Sequence, residues 1–159
     1  MQIGVIGSEV CPEKFRDVAE EVGRRIAENG AILICGGLGG VMESAARGAK
    51  KAGGTTIGIL PGFDRYEANK YIDIAIVTGM SHARNVIVVR SSDALIAVAG
   101  SYGTLSEIAL GLKMKKPVIV VKGCPWEIKG VIVAEDAEDA VKLAIENIKS
   151  SQQRLDPSA

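Results

Sequence analysis

The stretch Asp93–Glu107, DALIAVAGSYGTLSE, decides the fold. An apolar run from Ala94 to Ala99 has the length of a buried strand, breaks at Gly100-Ser101-Tyr102-Gly103, and gives way to an amphipathic run opening at Thr104. Strand, glycine turn and helix start thus follow one another directly. Such a junction directs unpaired backbone N–H groups and the positive end of a helix dipole at one spot, which suits an anion such as phosphate. Glu107 stands three residues into the predicted helix, where a carboxylate facing an anion is electrostatically unfavourable. It either caps the helix or takes part in chemistry. The spacing Thr104-Leu105-Ser106-Glu107 fits a capping box, in which the carboxylate folds back on the N-cap N–H and contributes on the order of 1 kcal/mol.

Working outward, the same alternation recurs. Gln2 to Ile6 reads as a strand that stops at Gly7-Ser8, and Pro12 marks a loop. Phe15, Val18, Ala19, Val22 and Ile26 fall at helical spacing between Glu13 and Asn29, with Gly30 as the stop. Ala31 to Cys35 is a second strand, followed by Gly36-Gly37-Leu38-Gly39-Gly40 and a small-residue helix ending at Gly53-Gly54. Thr55 to Leu60 and Asp73 to Thr78 read as further strands around a polar loop, Phe63 to Tyr71. Ser81 to Ser92 has a β-branched centre, Val86-Ile87-Val88-Val89, and is open to a strand reading. The α/β alternation on both sides selects a helix, the consistent connection between parallel strands. After Glu107 the helix runs to Lys113 and stops at Pro117; Val118 to Val121, Val131 to Val133 and a helix from Ala137 to Lys149 complete the chain. The expected architecture is α/β: one doubly wound, mostly parallel Rossmann-like sheet over residues 1–149, with helices on both faces and a disordered tail at 150–159. Its ligand crevice belongs at the strand carboxyl ends, where the glycine loops gather.

Composition narrows the function. The 159 residues are 47% hydrophobic and only 4% aromatic, so the core is aliphatic, as in a sheet covered on both faces. Nineteen basic side chains balance nineteen acidic ones, so no long-range field draws the chain to nucleic acid or to an anionic membrane. A phosphorylated small molecule is the expected partner. Cys11, Cys35 and Cys124 are odd in number and widely spaced, which reads as reduced thiols in the cytoplasm. His82 is the only histidine, so nothing in the spacing argues for a metal, and no cofactor is called for. No apolar run reaches the roughly 18 residues that a membrane span needs.

The loop Gly36–Gly40 is either a tight turn or a phosphate loop. It is not a dinucleotide fingerprint, because Met42 stands where the third glycine of G-x-G-x-x-G belongs, and it lacks the lysine of a nucleotide-hydrolysing P-loop. Its pairing with Gly100–Gly103 is the informative feature: two such loops at strand carboxyl ends of one sheet point to a shared phosphorylated ligand. Arg84 is by itself an ordinary helix arginine, and His82 a surface or loop-edge residue.

Met80, Arg84, Ser92-Asp93-Ala94 and then Gly100-Ser101-Tyr102-Gly103-Thr104-Leu105-Ser106-Glu107 resemble the Lonely Guy family, long mislabelled as lysine decarboxylases, whose signature PGGxGTxxE follows a helix bearing an arginine–lysine pair. Gly36-Gly37 through Val41-Met42 is similar to the family's earlier glycine motif, so the resemblance spans nearly the whole chain. It implies a phosphoribohydrolase that splits a nucleoside 5′-monophosphate into base and ribose 5-phosphate, with Glu107 and Arg84 catalytic. It also implies a ligand and phosphate site built from Gly7, Ser8, Gly36, Gly37, Gly39, Gly40, Met80, Gly100, Ser101, Tyr102, Gly103 and Thr104, with Glu67 as a looser correspondence. Three positions depart from the pattern: Asn85 replaces the lysine, Ala99 the proline and Ser101 the second glycine. A side chain at Ser101 is awkward if that residue needs a positive φ. These departures bring the chain nearer to short relatives that include molybdenum-cofactor carrier proteins, which bind a phosphorylated pterin without turning it over. A homodimer or higher homo-oligomer is also implied, with Val86 to Val89 as a candidate interface.

Overall fold

The computed structural model describes residues 1–155. Seven strands, β1 (Gln2–Ile6), β2 (Ile32–Cys35), β3 (Thr56–Leu60), β4 (Ile74–Val77), β5 (Ala94–Ala97), β6 (Val118–Val121) and β7 (Ile132–Ala134), pair in parallel in the order β4-β3-β2-β1-β5-β6-β7. The helices are α1 (Glu13–Glu28), α2 (Val41–Lys51), α3 (Asn85–Ser91), α4 (Tyr102–Lys113) and α5 (Ala137–Leu155). The expected α/β doubly wound sheet is therefore present, and it is parallel throughout.

Period-two alternation divides each central strand between two cores. Ile3, Val5, Leu33, Cys35, Ile96, Ile119 and Val121 pack with α1, α2 and α5 on one face. Ile6, Ile34, Leu95, Ala97, Val118 and Val120 pack on the other with Val88 and Val89 of α3 and Ile108 of α4. Strands covered on both faces have no polar side, which is why the sequence shows them as unbroken aliphatic runs. Chain order reverses between β1 and β5, and the carboxyl ends of these two neighbours open the crevice where doubly wound sheets bind ligands.

Helices α1 and α2 meet almost backbone to backbone. Gly23 faces the Ala45 carbonyl, Gly48 faces the Glu20 carbonyl, and a methyl group at either glycine would run into a main-chain oxygen. Gly48→Ala is expected to destabilise the protein by about 2 kcal/mol in a urea titration: alanine is worth about 1 kcal/mol more than glycine in a helix, but overpacking against fixed backbone outweighs it.

As expected, the segment from Ser81 is helical: a 3-10 turn over Ser81–Arg84 runs into α3, which ends at Ser91. Of its β-branched residues, Val88 and Val89 are fully buried in this chain's own core and Ile87 packs against it, so at most Val86 and part of Ile87 are left to the expected interface. Residues 150–155, expected as a disordered tail, continue α5 to Leu155, and the remainder of that tail lies outside the described residues. Helix α4 begins at Tyr102, two residues before the predicted start, with Ser101 as its cap. Among the described residues, no helix is long and apolar enough to cross a membrane.

Candidate functional site

A cavity of about 240 Å³ lies at the carboxyl ends of β1, β2 and β5. The loop after β1 contributes Gly7, Ser8 and Glu9; the loop after β2 contributes Gly36; the turn into α4 contributes Ser101, Gly103 and Thr104. Arg84, Asn85 and His82 enter from the 3-10 turn and the start of α3, Met42 from α2, and Glu107 from α4. The two glycine-lined corners thus converge on one space, which also receives the acidic side chain.

The helix starts explain why. In α4 the first helical backbone bond runs from Leu105 N–H to the Ser101 carbonyl at 3.0 Å, which leaves the N–H groups of Tyr102 and Gly103 without a helical acceptor, while that of Thr104 faces the Ser101 side chain in a capping box. The Ser101 N–H donates to Thr104 Oγ1 at 3.4 Å. This Ser101–Thr104 pairing replaces the capping box expected at Thr104–Glu107. Glu107 sits in the second turn, past the reach of the cap, so the capping reading is withdrawn. At the other corner the Val41 N–H donates to the Ser8 carbonyl at 3.1 Å, and Gly40, at φ +64°, packs against the Ser8 and Glu9 carbonyls. Any side chain at Gly40 would strike those carbonyls, so this glycine fixes how the first loop closes over the second.

Glu107 is 6% exposed, and burial pushes its carboxyl up to about 7, with Arg84 pulling the other way. Arg84 is itself buried; desolvation lowers its pKa while the Glu107 carboxylate raises it. The two approach to 3.9 Å, an ion pair without a hydrogen bond. The guanidinium is held by neutral acceptors instead: Nη1 donates to Asn85 Oδ1 at 2.8 Å and Nη2 to the Gly36 carbonyl at 3.2 Å. The Cys35 thiol is wholly buried and pushed up to about 11, mainly by desolvation, so it stands by as an uncharged neighbour. A carboxyl poised near neutrality beside a fixed cation, at the edge of a cavity, is the arrangement general acid–base work requires.

Of the residues singled out in the sequence, Gly7, Ser8, Gly36, Arg84, Ser101, Gly103, Thr104 and Glu107 line this cavity. Gly100 lines an adjoining one, together with Ser8 and Ser101. Gly37, Gly39, Gly40, Met80 and Tyr102 do not line it. The Gly37 carbonyl accepts from Asn69, whose N–H and Nδ2 lie at 2.9 and 3.2 Å, turned toward the loop before β4; Tyr102 is 88% exposed and Met80 is exposed on the surface. Glu67 packs its carboxylate under Gly62. Sequence reasoning passed over Glu9, took Asn85 only as a departure from the signature, and placed His82 at an edge without seeing that it lies against the cavity. Asn85 carried a visible signal, because it stands beside Arg84 where a lysine was expected.

The strained position in the α4 turn is not Ser101, whose φ of −128° is ordinary extended backbone, but Ala99, at φ +57°. Proline is locked near −65° and cannot occupy that conformation. Restoring the signature proline by Ala99→Pro is therefore expected to cost about 2 kcal/mol or more, read as a lowered thermal midpoint.

The chain matches the model of the SLOG cluster4 family over residues 1–153. It is 53% identical over 145 residues to an uncharacterized protein of Archaeoglobus fulgidus, covering 91% of this chain and 95% of that one. It is 36% identical over 121 residues to the cytokinin riboside 5′-monophosphate phosphoribohydrolase of Mycobacterium tuberculosis, covering 69% of this chain and 63% of that enzyme, under two thirds of its length. Among solved structures, the molybdenum cofactor binding protein of Rippkaea orientalis superposes with a TM-score of 0.83 at 41% identity, covering 95% of this chain and 96% of that one. The family model spans nearly all of the protein: the chain belongs to the SLOG cluster4 family, within the Lonely Guy superfamily.

Proposed function

We propose that the protein binds a nucleoside 5′-monophosphate and hydrolyses its N-glycosidic bond to free base and ribose 5-phosphate. The observation that carries this reading is Glu107, buried beside Arg84 at the cavity with its carboxyl near 7. The 5′-phosphate rests against the free N–H groups at the start of α4, favoured by the helix dipole. As the C1′–N bond breaks, positive charge develops on the ribose. A Glu107 carboxylate stabilises that charge and accepts a proton from the attacking water. Its protonated form delivers a proton to the departing base. Near neutrality both forms are populated. The water oxygen ends on C1′, its protons are shared between the new hydroxyl and the base, and no other reactant is needed.

The test is incubation with 5′-AMP, 5′-GMP and 5′-IMP, with chromatographic detection of free base and of ribose 5-phosphate in equal amounts. Adenosine, which lacks the phosphate, serves as the control. Base release no faster than the buffer blank for every nucleotide overturns the reading.

A second reading, carriage of a phosphorylated cofactor without turnover, is favoured by one specific feature: the uncharged Asn85 where the signature arginine is followed by a lysine. It predicts a phosphorylated heterocycle retained through purification and identified by mass spectrometry. Release of base at a steady rate by a protein that retains no such compound counts against it.

A further inference from the structure

Asn85 does more than vacate a lysine position. Its side chain is 8% exposed and fully engaged. Oδ1 accepts from Arg84 Nη1 at 2.8 Å, while Nδ2 donates to Ser106 Oγ at 3.2 Å and reaches the Gly103 carbonyl at 3.5 Å. Ser106 Oγ in turn donates to that same Gly103 carbonyl at 2.6 Å. One amide therefore links the guanidinium to the first turn of α4, the turn that also carries the free N–H groups. The Gly36 carbonyl holds the opposite end of the guanidinium, and Glu107 is left at 3.9 Å.

We propose that Asn85 is a positioning residue that ties the Arg84 guanidinium to the first turn of α4 and so keeps it out of hydrogen-bond contact with Glu107. An arginine and a carboxylate left to themselves close to about 2.8 Å, often through two parallel bonds. Here Nη1 is already committed to a neutral acceptor, so the pair stays apart. The consequence is chemical. Direct hydrogen bonding to the guanidinium would favour the ionised carboxylate and remove the proton that the hydrolytic step delivers to the base. A lysine at position 85 would have a similar effect through its charge. Asparagine supplies an acceptor for Arg84 and a donor for α4 without adding charge.

The other titratable groups around the pair do not take over this role. Cys35, on β2, is neutral at physiological pH and contributes a weak field. Glu9, in the loop after β1, acts on Arg84. His82, on the 3-10 turn, lies against the cavity and is exposed. Control of the Arg84–Glu107 separation falls to Asn85 and Gly36.

The inference rests on the hydrolase reading for its significance, but its test does not depend on turnover. The protein is labelled with 13C at the glutamate carboxyl carbons, the Glu107 signal is assigned by its loss in Glu107→Gln, and its titration is followed by NMR. In Asn85→Ala the midpoint is expected to fall by about one pH unit or more as Arg84 closes on Glu107. In Asn85→Asp, which keeps an acceptor for Arg84 but loses the donor to Ser106, the midpoint is expected to stay at or above the wild-type value. A role limited to bracing α4 predicts instead that Ala and Asp behave alike. Should Asn85→Ala fail to fold, Asn85→Ser, too short to reach the guanidinium, carries the same expectation. An unchanged Glu107 midpoint in the Ala or Ser variant overturns the proposal. Base release from 5′-AMP is measured across the same pH range. Turnover by the wild type with an unmoved titration in the variant sinks the positioning role and spares the hydrolase; a moved titration without wild-type turnover does the reverse.

Discussion

Glu107→Gln is expected to slow base release from a nucleoside 5′-monophosphate by about 10² to 10⁴-fold, the usual contribution of a positioned general acid–base group. Glutamine preserves the shape and neutrality of the protonated acid but cannot donate an acidic proton, accept one from water, or carry the negative charge that an oxocarbenium-like ribose requires. The loss should fall on kcat more than on KM, because the phosphate contacts proposed for the first turn of α4 do not involve this side chain. Glu107→Ala should lose at least as much. Steady-state kinetics with chromatographic detection of base distinguishes the outcomes. Equal rates for wild type and Glu107→Gln would mean that the carboxyl takes no part in bond cleavage, whatever its surroundings.

Arg84 shows why this pair was hard to see from residues alone. Twenty-two positions separate Arg84 from Glu107, and spacing along the chain carries no information about their meeting across two helix starts. Only the family resemblance linked them. The sheet was a different matter. Aliphatic runs such as Ala94–Ala97 and Val118–Val121 are legible because a strand covered on both faces has no polar side, and the glycine turns after β1, β2 and β5 punctuate them. The errors fall where local chemistry admits two outcomes. Gly100-Ser101-Tyr102-Gly103 reads as one turn, yet Tyr102 and Gly103 already belong to α4, since a residue in the first helical turn needs no helical acceptor for its N–H. Val86-Ile87-Val88-Val89 looks like an apolar surface awaiting a partner, but the core between the sheet and α4 takes up Val88 and Val89. The four loop glycines Gly36, Gly37, Gly39 and Gly40 look equivalent in sequence, and contact separates them: Gly36 lies under the Arg84 guanidinium at the cavity, while Gly37 and Gly40 are required by positive φ and by neighbouring Leu60, Ser8 and Glu9. Asn85 was visible as a substitution, but its meaning lies in bonds to Arg84 and Ser106 that no one-dimensional pattern encodes.

The buried carboxyl also sets how stability depends on pH. Burial moves Glu107 from an ordinary 4.5 to about 7 in the folded protein, the direction in which folding favours the protonated acid. The stabilisation is therefore fully present below about pH 4.5 and is lost as the pH rises through about 7. Above that, folding must confine an ionised carboxylate that the unfolded chain leaves in water. At 1.36 kcal/mol per pH unit the difference amounts to about 3 kcal/mol, lost between pH 4.5 and 7.5. Glu107→Gln has no proton to lose at that site and should escape this decline. The variant is expected to match the wild type within about 0.5 kcal/mol at pH 4.5 and to exceed it by about 3 kcal/mol at pH 8, measured by urea denaturation at both values. Glu20, Glu21 and Asp73 are lowered rather than raised, and contribute the opposite slope in the acid range. They remain in both proteins, so the difference between wild type and variant isolates Glu107. A residue that destabilises the fold in its ionised form at neutral pH, while its neutral isostere does not, is held there by something other than stability. A gap between the two proteins that does not widen from pH 4.5 to pH 8 would show that Glu107 is ionised as readily as a surface glutamate, and would remove the physical basis for its proposed role as a proton donor near neutrality.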